Sequence, residues 1–251
     1  MKALITGASS GIGMEMAREL AARGYELILV ARRRERLEAL ARELTVKCRI
    51  LEFDLSSEEQ CRMLYCRARS EDLEIVINNA GFGVCGPFAS TDLERDLEMI
   101  RLNVVAVHIL TKLFLHDFRM RNRGYILNVA SSAGFMAGPL MASYYATKNY
   151  VLRLTQAIRE ELRHEGSAVV ISALCPGPVK TEFNEVANVR FSVPSMDAKR
   201  CARIAVRGLL RKKQTIVPGA GMKAAMAARR FVPEWILPRV TYQVQHRKLK
   251  S

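Results

Sequence analysis

From residue 2 to about 176 the chain alternates short apolar runs rich in β-branched residues with longer stretches in helical period, a rhythm that few folds accept. KALIT precedes a helical pattern over 12–23, ELILVA one over 34–44 and CRILEF one over 57–69. EIVINNA, a helical stretch from about 91 to 120, YILNVAS, another from about 142 to 165, and AVVISALCPG continue it. Such alternation builds βαβ units with right-handed crossovers, so the sheet is parallel and carries helices on both faces. LILV and VVIS have no polar side, as strands buried from both faces require. The expectation is an α/β fold with one doubly wound parallel sheet of about seven strands.

After Pro176 the pattern loosens. PGPVKTEF leads into a loop of about a dozen residues, a helix from about 197 to 212, a short strand QTIVPG and a basic tail. At 251 residues, 49% apolar and 25% charged, the chain can bury one large core, and a mainly disordered or collagen-like chain is excluded. One domain over 1–251 follows, with 1–190 as its core and 191–251 as substrate loop, last helix and strand, and C-terminal extension. Six cysteines form no CxxC pair and four histidines no ligand spacing, so no metal is expected. MKALIT runs straight into the first strand without a leader pattern, and apolar runs fall short of the roughly 20 residues of a membrane span. The expected location is the reduced cytoplasm.

TGASSGIG, Thr6 to Gly13, follows the first strand and opens the first helix, where backbone N–H groups and a helix N-terminus meet a pyrophosphate. Gly7 permits the tight turn, Gly11 the approach of phosphates, and Gly13 close packing of helix on strand. The architecture is thus a Rossmann fold, and its second strand should end at the adenine ribose. That strand reads LVARRRERL. An acid there would accept from the 2′-hydroxyl of NAD; arginines favour the 2′-phosphate of NADP. Arg32 is the expected phosphate ligand, with Ser9 or Ser10 as helper, while Arg34 and Arg36 suit a solvated helix start. NADP(H) is the expected cofactor, ahead of NAD(H).

Six motifs, in order and spacing, resemble the short-chain dehydrogenase/reductase family over about 1–190: TGASSGIG, NNAG at Asn78 to Gly81, Asn103 in RLNVVA, Ser131 in NVASSAG, Tyr144 and Lys148 in YYATK, and PGPVKT at Pro176 to Thr181. The tail resembles that of DltE-like and ketone reductases with a C-terminal extension. By this resemblance Tyr144 is the general acid that protonates a carbonyl oxygen, or the base in reverse, and Lys148 favours its phenolate and holds the nicotinamide ribose. Ser131 orients the substrate oxygen, and Asn103 holds a water linking Lys148 to solvent. Ile12 joins the phosphate turn; Asp54 and Leu55 meet the adenine, Asn79, Ala80 and Gly81 the ribose, and Pro176, Gly177, Val179 and Thr181 the nicotinamide. Helical spacing alone leaves Tyr144 and Tyr145 both open as partners of Lys148. Ser131, 13 residues before Tyr144 as in the family, selects Tyr144 and turns Tyr145 toward helix packing or the rim of a subunit contact. The resemblance also implies a homodimer or homotetramer built on the helices at about 91–120 and 142–165.

The loops beyond the strand ends carry Phe82, Phe88, Phe135, Met136, Leu140, Met141, Phe183 and Phe191, so a hydrophobic ketone or alcohol suits them better than a sugar. Hydroxysteroid or bile-acid-like and 3-oxoacyl or lipid-like carbonyls both remain open. From Lys199 onward 14 Lys and Arg face one acid, Glu234, a net +13 of the chain's +14. With Trp235 among them, this tail either covers the substrate opening with its basic face solvated or makes peripheral contact with an anionic membrane. No reading motif accompanies the charge, so no nucleic acid is expected. The reading is an NADP(H)-dependent oxidoreductase of a ketone and secondary alcohol pair; the alternative is a nucleotide-binding sensor or scaffold with incidental turnover.

Overall fold

The computed structural model describes residues 1–187 and 195–249. Seven strands, β1 (Lys2–Thr6), β2 (Glu26–Ala31), β3 (Cys48–Glu52), β4 (Leu73–Asn78), β5 (Tyr125–Val129), β6 (Val170–Leu174) and β7 (Thr215–Ile216), form one parallel sheet in the order β3-β2-β1-β4-β5-β6-β7. The helices are α1 (Gly11–Ala21), α2 (Arg34–Glu43), α3 (Glu58–Ala68), α4 (Leu93–Ile100), α5 (Val107–Met120), α6 (Ala142–His164), α7 (Phe183–Val186), α8 (Ala198–Leu210), α9 (Ala220–Ala228) and α10 (Leu237–Leu249). The doubly wound expectation holds.

Alternation along each strand sends side chains to two cores. Ala3, Ile5, Leu27, Leu29, Ile75 and Ile77 pack with Met16 and Leu20 of α1, Leu37 of α2, and Ala205 and Leu209 of α8. Leu4, Ile28, Val76 and Ile126 face the other way, onto Leu64 of α3, Phe114 and Phe118 of α5, and Leu162 of α6. Phe114 and Phe118 are each 1% exposed, and burying rings of that size contributes roughly 1.5–3 kcal/mol apiece. Caps set several helix starts. Ser57, Asp92 and Asp197 accept from the backbone N–H three residues on, opening α3, α4 and α8.

The stretch expected as one helix over 91–120 is continuous but not uniform. Between α4 and α5, Arg101–Ala106 form a π turn, a wider turn that often marks functional positions. Asn103 lies inside it. By length and composition the helix over Leu93–Met120 could cross a membrane, yet its apolar stripe is seated on the sheet through Leu110, Phe114 and Phe118.

The order of the sheet reverses between β1 and β4. Connections leave in opposite directions there, opening a crevice beyond the carboxyl ends of the strands.

Candidate active site

One cavity of about 510 Å³ fills the crevice, and of the expected site residues all but Gly13 and Asn103 line it. Its first end is made of backbone. Gly7 and Gly11 hold φ of +65° and +55°, which a side chain would strain. A Cβ on Gly7 would come 2.8 Å from Asn79 Nδ2, and one on Gly13 2.4 Å from the Gly7 carbonyl oxygen. Gly13 therefore serves the cavity from behind, by letting α1 press against the turn. Thr6 ends β1 with a hydroxyl that accepts from the N–H of Asn79 at 2.9 Å and of Ala80 at 3.1 Å. The Asn79 amide answers by donating to the carbonyls of Thr6 and Gly7 at 3.0 and 3.2 Å. Its side chain is engaged in bracing the glycine turn, and Ala80 and Gly81 present backbone to the cavity.

The arginines divide differently from the expectation. The Arg32 guanidinium stands 3.6 Å from the Asp54 carboxylate and 3.3 Å from that of Glu98. Arg33 is the residue over the helper hydroxyls: its Nη2 donates to Ser10 Oγ at 3.1 Å and Ser9 Oγ at 3.3 Å. Residues 32 and 33 lie in the bend between β2 and α2, and their side chains take different partners. Arg34 pairs with Glu38 at 2.8 Å on the helix surface, as expected, but Arg36 reaches across to Glu182, which it shares with Arg33. Asp54 also closes its own turn, accepting from the N–H and hydroxyl of Ser56 at 3.0 and 2.8 Å, with Leu55 buried beside it. Thr181 lies over Gly11, where a Cβ would come 3.0 Å from its methyl, so the loop after β6 roofs the phosphate turn.

At the other end of the cavity the expected catalytic side chains converge. Ser131 begins the turn after β5, accepts from the Ala133 N–H at 3.1 Å and is joined to the PGP loop by the Ser132 N–H, which donates to the Pro176 carbonyl at 2.8 Å. Tyr144 and Lys148 rise one turn apart on α6. The Lys148 ammonium donates to the Val129 carbonyl at 2.9 Å and lies 5.9 Å from the centre of the Tyr144 ring. Burial pushes the Tyr144 phenol up to about 12, against the pull of the Ser131 hydroxyl beside it. Burial also drives the Lys148 ammonium down to about 8.

Asn103, fully buried, works on the backbone: its Nδ2 donates to the Phe82 carbonyl at 2.8 Å and to Thr147 Oγ1 at 3.1 Å, and its Oδ1 accepts from the Phe82 N–H at 3.1 Å. Thr147 in turn donates to the Tyr144 carbonyl at 2.7 Å. The π turn thus fixes both the loop after β4 and the tyrosine helix. Asn149, not anticipated, does the same for the loop after β5, donating to the carbonyls of Ala133, Met136 and Tyr145.

Of the apolar loop residues, Phe82, Met141 and Phe183 line the cavity, with Phe183 5.4 Å from the Tyr144 ring. Phe88 is 71% exposed and takes no part, and Phe191 lies outside the described residues. The tail covers this end. Met222 of α9 abuts Gly177, where a Cβ would come 2.4 Å from its methyl. Arg229 donates to the Phe135 carbonyl and lies over its ring, and Gln245 of α10 donates to the Tyr145 hydroxyl at 2.6 Å. Tyr145 packs against α10, whose Gln245 lies 100 residues on in the chain, and also lines the cavity. No local signal marks Met222 or Gln245; only the packing of the tail does.

Residues 1–190 match the family described as short chain dehydrogenase. The chain belongs to that family. This short chain dehydrogenase is 31% identical over 232 residues to a very-long-chain 3-oxoacyl-CoA reductase of Anas platyrhynchos, covering 88% of this chain and 73% of that one. A protein of the same name from Pyrenophora tritici-repentis is 32% identical over 203 residues, 77% of this chain but 59% of its own length. Among solved structures, a short-chain dehydrogenase from Sphingobium yanoikuyae in complex with NADPH superposes with a TM-score of 0.82 at 33% identity, covering 91% of this chain and 93% of the other.

Proposed function

We propose that the chain interconverts a hydrophobic ketone and its secondary alcohol with NADP(H). The observation that carries this is the meeting, in one cavity, of a glycine-braced end and an apolar end at Tyr144, Ser131 and Lys148. A dinucleotide suits the first end, where the glycine turn and the N-terminus of α1 line the cavity and offer backbone N–H groups to a pyrophosphate. When bound, the nicotinamide supplies or accepts hydride at the carbonyl carbon. Ser131 donates to the substrate oxygen and aims it. Tyr144, held protonated at neutral pH by its burial, gives its proton to that oxygen, and the resulting phenolate is stabilised by the Lys148 ammonium. Asn103 keeps Phe82 and α6 in register, and a water on the π turn would return the proton to Tyr144 through Lys148.

Preference for NADP(H) over NAD(H) rests on Arg33 with Ser9 and Ser10, which form a cationic, hydroxyl-lined corner beside the end of β2; Arg32 flanks it from the Asp54 side. The substrate reading draws on Phe82, Met141 and Phe183 and on the 3-oxoacyl-CoA reductases named above, which favour an acyl-type ketone over a steroid. Assembly of two or four copies through α4, α5 and α6 belongs to the same reading. So does contact of the tail with an anionic membrane, for which the 89% exposed Phe231 and 64% exposed Trp235, with Arg239 over the indole, provide a corner.

The test is NADPH oxidation against a panel of hydrophobic ketones. Tyr144→Phe is expected to lower kcat by about 10²–10⁴ while still binding NADPH. Tight NADPH binding by the wild type with no turnover of any ketone would instead favour a nucleotide-binding sensor.

A further inference from the structure

Tyr145 stands next to the proton donor, its ring edge-on to that of Tyr144 with centroids 6.2 Å apart. Gly138 lies against the ring so closely that a Cβ there would come 2.3 Å from its carbons, which fixes the ring from the loop side. On the far side is Gln245, 1% exposed, whose Nε2 donates to the phenol oxygen. The direction of that bond matters. A phenol that accepts from an amide keeps its own hydrogen to give away, and among the described residues no acceptor takes it. Burial raises the Tyr145 pKa above its ordinary value of 10, so the group remains a donor across the neutral range. Around it the cavity wall is apolar, with Phe82, Met141 and Phe183. A donor in such a wall favours a ligand that supplies an acceptor there.

We infer that Tyr145, aimed by Gln245, is a substrate subsite that donates a hydrogen bond to a second acceptor oxygen, selecting carbonyl compounds that carry another carbonyl, such as a thioester oxygen, a few bonds from the reacting one. A tether that merely pinned the tail would need the Gln245 bond alone and no aromatic donor beside Tyr144. The inference rests on the oxidoreductase reading above and deepens it. With two phenols side by side, one protonates the reacting oxygen and the other holds its neighbour, which fixes the face of the ketone presented to hydride.

The experiment compares a medium-chain 3-oxoacyl thioester with a 2-alkanone of equal chain length, with NADPH, in the wild type, Tyr145→Phe and Gln245→Leu. The ratio of kcat/KM for the thioester over that for the alkanone is expected to fall at least tenfold in Tyr145→Phe, chiefly through KM, and by a smaller factor in Gln245→Leu. NADPH affinity reports whether each variant has folded; if Tyr145→Phe has not, the ratio in Gln245→Leu decides. Equal losses on both substrates would reduce Tyr145 to packing and overturn the subsite while leaving the oxidoreductase reading intact. No turnover of either substrate by the wild type would remove both.

Discussion

The two ends of the cavity are built on different principles. At the cofactor end a glycine turn is braced locally: Gly7, Gly11, the Thr6 hydroxyl and the Asn79 amide lie within a few residues of strand ends, and hydrogen bonds tie the hydroxyl and the amide to neighbouring backbone. At the substrate end, side chains from α6, the loops after β4 and β5, and the tail converge from as far as 100 residues apart. The first end tolerates almost no change in shape, whereas the second can be rebuilt by changing the tail. Binding of a common cofactor and selection among substrates are thereby separated in space.

Lys148 lies where the ends meet, and replacing it should give the largest effect. Lys148→Met is expected to abolish turnover yet to stabilise the fold at pH 7. The sign follows from the proton. Folding lowers the Lys148 pKa from 10.5 to about 8, so the unfolded chain binds more protons between those values, and wild-type stability rises with pH across that window. Below pH 8 the cost of the buried charge is fully present, on the order of 3 kcal/mol; stranding the Val129 carbonyl takes back about 1, leaving a net gain of roughly 2. Urea unfolding at pH 7 and pH 9.5 checks this, with the advantage of the variant shrinking at the higher pH. A variant no more stable than wild type at pH 7 would mean that the lysine is not strained by burial.

A smaller effect is confined to the cofactor end. Arg33→Ala should weaken NADPH about tenfold and leave NADH nearly unchanged, with Arg32→Ala the milder of the two. Fluorescence titration of both cofactors measures it, and a larger loss from Arg32→Ala would reverse the assignment. The smallest effect lies beyond the substrate end. Replacing Phe231 and Trp235 together by Ser should lower partition onto anionic phosphatidylserine vesicles by a few-fold without altering NADPH affinity, as read by co-sedimentation. Equal partition of variant and wild type would remove the membrane contact.

The same division explains what the amino-acid sequence discloses. Positive φ and contact with neighbouring backbone restrict Gly7 and Gly11 to glycine, and the strand and helix periods are imposed by a sheet buried on both faces, so these features are written plainly. Tyr144, Ser131 and Lys148 are legible because their spacing repeats a known pattern. Arg33 is not, since three consecutive arginines look alike until the direction of the chain at the end of β2 is known. RLNVVA keeps an ordinary helical period, and so conceals its π turn. The contact of Tyr145 with Gln245 is invisible for a further reason: nothing local to either says where α10 will lie.

The Gln245 contact has a consequence in time. During synthesis the seven strands and the glycine turn emerge before α10, and a single domain folds as a unit. The wall at Tyr145 therefore waits on the last residues to be made, and a chain cut short before Gln245 would keep its glycine turn but lose the partner of that phenol.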